Sequence, residues 1–216
     1  EVATDAALDG AFFSTGQRCT ASSRLIVTDG IPARFVERLT EKVRALKVGP
    51  ALDPMSQMGP VVDQTQLDQD MSFIESARRD GANLRVGGER VECATPGFFL
   101  APTLFTDTDP AMRINREEVF GPVATVIRVR DYDHALDLAN DTPFGLTAGI
   151  CTTSLKFSQH FKRHAQAGMV MVNLPTAGVD YHVPFGGTKA SSMGPREQGQ
   201  AAAEFFTTLK TAYIRG

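Results

Sequence analysis

Little in this sequence points to a polyanion or a membrane as partner. Acidic residues exceed basic ones only slightly, 25 against 22. The two signs are interleaved, so no basic stripe marks a nucleic-acid surface. No apolar run approaches the ~20 residues that a membrane span requires. The first residues, Glu1-Val2-Ala3-Thr4-Asp5, have neither the basic start nor the apolar core of a signal peptide. Cysteine is scarce: the three present are odd in number and widely spaced, which excludes a disulfide framework and fits a reducing cytoplasm. The four histidines show no metal-ligand spacing and no His-Cys cluster, so no metal site is expected. There is no internal repeat and no low-complexity tract. No glycine-rich G-x-G-x-x-G loop follows a strand, and Gly186-Gly187 lacks that spacing, so no dinucleotide-binding domain is visible. Tryptophan is absent too, which decides nothing about function.

What is present is enough for one sizeable domain, or a large domain with a small appendage: 216 residues, 42% of them hydrophobic. Helical spacing predicts helices over 3–13, 32–47, 64–79, 132–139 and 154–166, with Pro32 at a favoured first helical position and Ser154 as an N-cap. A short helix is predicted over 195–203. β-Branched and apolar runs predict strands over 24–28, 84–86, 98–105, 122–129, 146–152, 169–173 and, last, 205–214. Alternating strands and helices give an α/β domain with a mainly parallel sheet and flanking helices. In such sheets, sites gather at the carboxyl ends of strands.

The chemistry centres on Cys19, in the run Phe12-Phe13-Ser14-Thr15-Gly16-Gln17-Arg18-Cys19-Thr20-Ala21. The thiolate is the nucleophilic form of cysteine, and nearby positive charge and free amides favour it. Arg18 and the glycine turn are placed to supply both. By itself this run also fits a buried structural thiol. Two further runs bear on the choice: Arg116-Glu117-Glu118-Val119-Phe120-Gly121-Pro122-Val123, and Pro184-Phe185-Gly186-Gly187-Thr188-Lys189-Ala190-Ser191. F-x-x-x-G-Q-x-C, E-E-x-F-G-P-V and P-F-G-G-x-K-x-S, in this order and separation, resemble the aldehyde dehydrogenase superfamily. The resemblance covers essentially the whole chain.

That resemblance implies the catalytic domain of such an enzyme over 1–206 and an oligomerisation strand over 207–216, supporting a homodimer or homotetramer. It implies that Cys19 is the nucleophile, with its own N–H as half of an oxyanion hole. Glu118 matches the carboxylate that holds the nicotinamide ribose hydroxyls, and Phe120 the aromatic that borders the nicotinamide of NAD or NADP. Phe185 matches a substrate-pocket wall, and Asp180-Tyr181-His182 the loop that shapes substrate entry. Arg18 is placed to meet an acidic aldehyde or semialdehyde. In the superfamily, the cofactor domain, the general-base glutamate and an oxyanion-hole amide precede the cysteine. The chain therefore reads as the C-terminal half of a larger enzyme, inactive alone.

Other readings of these residues stand beside that one. Glu117-Glu118 also fits a solvated loop pair, with Glu117 structural, and Phe185 a core aromatic. Cys151 reads as a small core residue and Cys93 as incidental. The superfamily continues K-x-S-G-x-G-R-E, whereas here Ser192 replaces a glycine and Pro195 is an extra residue, which puts that turn in question. This ending, with Arg18 before Cys19, resembles the branch that oxidises 2-oxoglutarate semialdehyde (2,5-dioxopentanoate). Two rival functions remain: a cysteine hydrolase pairing Cys19 with His134, His160, His164 or His182, and a non-catalytic oligomerisation module.

Overall fold

The computed structural model describes residues 1–216, apart from the side chain of Pro32. Along the chain run α1 (Val2–Phe12), β1 (Arg24–Thr28), α2 (Pro32–Ala45), α3 (Gln64–Arg79), β2 (Asn83–Val86), β3 (Thr103–Thr106), α4 (Arg113–Arg116), β4 (Val123–Val129), α5 (Tyr132–Asn140), β5 (Thr147–Ile150), α6 (Leu155–His164), β6 (Met169–Val172) and α7 (Ala201–Phe205). Three helices start where a side chain accepts a free amide of the first turn: Asp63 from Gln66 N, Asp131 from His134 N and Ser154 from Phe157 N.

Four strands form one sheet in the order β1-β4-β3-β2, and β5 and β6 form a second. β1 and β3 both run parallel to β4, β5 runs parallel to β6, and only β2 runs antiparallel to its neighbour β3. The expected mainly parallel α/β architecture is therefore found. β4 lies between two parallel neighbours and is buried at every position except Arg128. A strand covered on both faces reads as a nearly continuous apolar run, as Val123 to Val129 does.

Strand alternation divides the core in two. Leu104, Ala124 and Val126 point to one face and pack with Ala11, Phe12, Leu39 and Val43 of α1 and α2. Phe105 and Val123 point to the other and pack with Leu67, Phe73, Ile74 and Ala77 of α3 and Ile114 of α4. Farther along β4, Ile127 and Val129 meet Leu138 of α5. Thr125 is polar at the centre of this strand, and its hydroxyl is satisfied by Asn115 Oδ1 at 2.6 Å.

Four sequence expectations change. The strand predicted over 98–105 begins only at Thr103. Pro102 has no N–H to give a ladder, and Leu100 pairs with Arg90 as an isolated bridge instead. The helix predicted over 195–203 is Ala201–Phe205, after a turn around Pro195. The stretch predicted as a strand over 205–214 pairs with no strand of this chain. Leu209, Tyr213 and Ile214 there are almost fully exposed. β-Propensity supplies a suitable surface, but a strand also needs a neighbouring backbone to bond. Cys151, expected in the core, is exposed at the end of β5.

Leu104 of β3 is fully buried against α1 and α2. Leu104→Ala should lower the unfolding free energy by about 2–5 kcal/mol. The check is the urea midpoint followed by circular dichroism.

Candidate active site

The parallel register of β1 and β4 brings the two sequence motifs together. Arg24 lies beside Thr125. Five residues back along the chain from each member of that pair, in the loops that enter the strands, stand Cys19 and Phe120. The loops that enter β1 and β4 therefore run side by side, at the amino ends of these strands. This corrects the expectation of a site at the carboxyl ends. Here the loops that matter precede the paired strands, and only the 174–185 loop follows one.

The two loops touch through glycines. A Cβ on Gly16, where φ is +65°, would lie 2.2 Å from the carbonyl oxygen of Gly121. No L side chain fits that approach, and the left-handed backbone also favours glycine. Ser14 and Thr15 share the left-handed conformation, with φ of 54° and 59°. Three successive positive φ values end α1 abruptly and turn the chain toward Cys19. Side chains hold the turn: Thr15 Oγ1 donates to Gly59 O at 3.2 Å, and Gln17 Oε1 accepts from Val62 N at 2.9 Å.

Between the loops lies a small cavity of about 40 Å³, lined by Arg18, Cys19, Glu118, Phe120 and the backbone of Gly16 and Gly121, among others. Arg18, Cys19 and Glu118 are exposed, and Phe120, with φ of 60°, is partly exposed over it. Four sequence candidates thus meet. Glu117 does not join them: its carboxylate takes Arg113 Nε at 3.0 Å. No histidine lines this cavity. His134 caps a turn near Arg130, and His160 stacks on His164 with centroids 3.9 Å apart. The described residues contain no group of three or more potential metal ligands. The Cys151 residue is exposed, but desolvation of its sulfur pushes that thiol above its ordinary value.

Asp180, Tyr181, His182 and Phe185 do not line the cavity. Asp180, Tyr181 and His182 are exposed, and Phe185 is half-buried. The 174–185 loop is nevertheless tied to the cysteine loop, because Thr176 Oγ1 and Ser22 Oγ are 2.7 Å apart. The third motif acts as a brace. Phe185 exchanges backbone hydrogen bonds with Glu197 at 2.6 and 3.0 Å. Lys189 Nζ donates to Asn140 O at 2.6 Å and Thr142 O at 3.1 Å, at the carboxyl end of α5. The departing turn is satisfied: Ser192 Oγ accepts from Gly187 N at 2.7 Å, and Arg196 folds back to donate to Gly187 O.

Sequence reasoning missed the floor of the site. Asp70 of α3 is fully buried, and a Cβ on Gly121 would fall 2.3 Å from both of its carboxyl oxygens. Gln66 Nε2 donates to Asp70 Oδ1 at 2.8 Å and to Val119 O at 3.0 Å, and Gln69 Nε2 reaches the same carbonyl at 3.0 Å. Burial pushes the Asp70 carboxyl up to about 7, opposed in part by the bond from Gln66. The available signal was an acid at position 70, three residues after Leu67 and four before Ile74, on the inward stripe of α3.

The exposed Cys19 and the desolvated Cys151 should differ in reactivity. In limited iodoacetamide labelling followed by peptide mapping, Cys19 is expected to be modified first. Equal or reversed rates would remove Cys19 as the reactive thiol.

Residues 1–212 match the Aldehyde dehydrogenase family. The alpha-ketoglutaric semialdehyde dehydrogenase of Bacillus subtilis is 42% identical over 217 residues, covering 100% of this chain and 44% of that protein. The alpha-ketoglutarate semialdehyde dehydrogenase of Haloferax volcanii is 44% identical over 214 residues, covering 98% of this chain and 44% of the relative. The crystal structure of HpcC from Thermus thermophilus superposes with a TM-score of 0.91 at 37% identity, over 100% of this chain and 44% of that one. The betaine aldehyde dehydrogenase of Staphylococcus aureus in complex with NAD+ gives 0.89 at 33% identity, over 95% of this chain and 41% of that one. The chain thus spans less than half the length of these relatives. With motifs, fold and relatives in agreement over nearly its whole length, the chain belongs to the aldehyde dehydrogenase family.

Proposed function

We propose that this chain is the catalytic half of an NAD(P)+-dependent aldehyde dehydrogenase, with Cys19 as nucleophile. The observation that carries the reading is the shared cavity: a thiol, a carboxylate and an aromatic ring reach one small space from two loops far apart in sequence. The Cys19 sulfur attacks the aldehyde carbon, and the carbonyl oxygen becomes a thiohemiacetal oxyanion. The Cys19 N–H supplies one donor to that oxygen. Covalent attachment divides one difficult oxidation into easier steps. NAD(P)+, when bound, supplies the hydride acceptor. Glu118 and Phe120 suit that cofactor: an exposed carboxylate accepts two ribose hydroxyls, and a half-exposed ring offers a flat wall to the nicotinamide. Loss of hydride leaves a thioester on Cys19, which water hydrolyses to the acid. The base for that water and the domain holding the rest of the cofactor lie outside residues 1–216 on this reading.

The substrate is an acidic aldehyde of the 2-oxoglutarate semialdehyde type. Arg18 supports this: it lines the cavity and is exposed, and a guanidinium there suits a substrate carboxylate. The names of the Bacillus and Haloferax relatives point the same way. Two betaine aldehyde dehydrogenases, whose named substrate is cationic, are 41% and 40% identical to this chain, so identity alone does not separate the two classes. The hydrolase alternative loses support because no histidine stands at the cavity.

Residues 1–216 alone should give no steady NADH formation with any aldehyde. The longer protein should oxidise the acidic semialdehyde with a higher kcat/KM than betaine aldehyde. In that protein, Glu118→Gln should slow single-turnover hydride transfer by roughly tenfold to a hundredfold, the scale of a misplaced reactant, while thiohemiacetal formation is spared. Stopped-flow absorbance of NADH separates the two steps, and an unchanged rate would remove Glu118 from its role.

The tail belongs to subunit association on this reading. Leu209, Tyr213 and Ile214 expose nearly their whole side chains, a large apolar surface for one short segment. Deleting residues 207–216 should shift the protein toward monomer in sedimentation velocity. An unchanged distribution would refute the assignment.

A further inference from the structure

We propose that Asp70 is a proton-linked positioning residue: when neutral its carboxyl keeps the 117–121 loop seated against α3, and when ionised it loosens that loop. The inference rests on the reading of Glu118 and Phe120 as the pair that holds the cofactor.

Two contacts in series lead from this carboxyl to the turn that carries the reactive thiol. The Asp70 oxygens press on Gly121 so closely that a Cβ there would lie 2.3 Å from each. The carbonyl of Gly121 in turn faces Gly16, at the distance where only a glycine fits. Gly16 opens the turn that presents Cys19. Gln66 joins the carboxyl to the loop from the side, since its amide donates both to Asp70 Oδ1 and to Val119 O. The other carboxyl oxygen, Oδ2, is buried and has no hydrogen-bond partner in the structure.

That last fact sets the direction of the effect. A neutral carboxyl leaves no charge unpaired in this apolar setting, whereas the anion strands one on Oδ2. Charged groups do occur on the packed elements: Arg113 on α4, Glu117 and Glu118 on the loop, and Arg18 in the cysteine turn. Arg113 is engaged by Glu117 and by Ser72. Desolvation and the Gln66 amide, not these charges, set the proton affinity of Asp70, and they bring its titration to about pH 7.

The sign follows from the two states. With the loop open, the carboxyl is hydrated and has an ordinary value of about 3.9. With the loop closed it titrates near 7. The closed loop binds its proton more tightly, so closure is favoured at low pH. The advantage is lost as pH rises, up to about 7, and levels off above that. From these two values, loop opening should become about tenfold more favourable between pH 6 and pH 8.

Hydrogen–deuterium exchange on the native protein tests this, read on peptides covering 117–123, where the Glu117 and Val123 amides are bonded to Arg113 O and Gly121 O, and corrected for intrinsic exchange at each pH. Protection of the wild-type loop should fall by about tenfold from pH 6 to pH 8. Asp70→Asn keeps the shape and the oxygen facing Gln66 but cannot ionise, so it should show no such fall. Equal protection of the wild type at both pH values would overturn the proposal without any variant. So would an unchanged pH dependence in Asp70→Asn. The KM for NAD+ gives a second readout: it should rise over the same range in the wild type and stay flat in Asp70→Asn. A pH-dependent loop in a protein that oxidises no aldehyde at any pH would leave the positioning role standing and refute the proposed function.

Discussion

The contact between Gly16 and Gly121 is the constraint on which the site depends. Two loops far apart in sequence meet there, backbone against backbone, with no side chain between them. The parallel pairing of β1 with β4 aims the loops at each other, and the glycines let them close the remaining distance. Most of what lines the cavity hangs from one loop or the other, with Ala11 of α1 and Val123 of β4 completing it. Arg18 and Cys19 follow the first glycine, and Glu118 and Phe120 precede the second. Asp70 supports this junction from below, and Thr176 ties in a third loop from the second sheet. The arrangement places function on loops and precision on the strands behind them.

Most of the fold was legible because its elements are long and periodic. β1 and α3 begin and end where apolar spacing and turn residues put them, and the apolar run from Val123 to Val129 reads as the buried strand it is. The errors fall where a local pattern needs a distant partner. The tail has strand residues but nothing in this chain to bond. The 98–105 run is apolar apart from Thr103, yet Pro102 interrupts it and the two pieces pair with different segments. The very short α4 carries too few residues to show a period.

The site was legible in a different way. Cys19, Glu118 and Phe120 stood out through motifs, and the fold explains the separation of those motifs through strand register. The third motif was harder to read. Its phenylalanine suggested a pocket wall, whereas its neighbours Thr188, Lys189 and Ser191 chiefly brace the end of α5, the start of β5 and the residues after α6 through hydrogen bonds to Asn140, Thr142, Gly145 and Gln166. The buried floor was the least visible part. An aspartate among polar helix residues looks ordinary until the helix is wound and its inward stripe identified.

The order of strands in the first sheet also bears on how the chain folds. β1 is an edge strand whose sole partner, β4, lies about a hundred residues later in the chain. Closing so long a loop costs entropy before any ladder bond offsets it, which slows folding. During synthesis, α1 and β1 leave the ribosome about a hundred residues ahead of β4 and must wait for it with an apolar face uncovered. The cysteine turn cannot take its final shape in that interval, because the carbonyl against which Gly16 rests has not yet been made. Assembly of the cavity thus waits on β4, although Cys19 is synthesised about a hundred residues earlier.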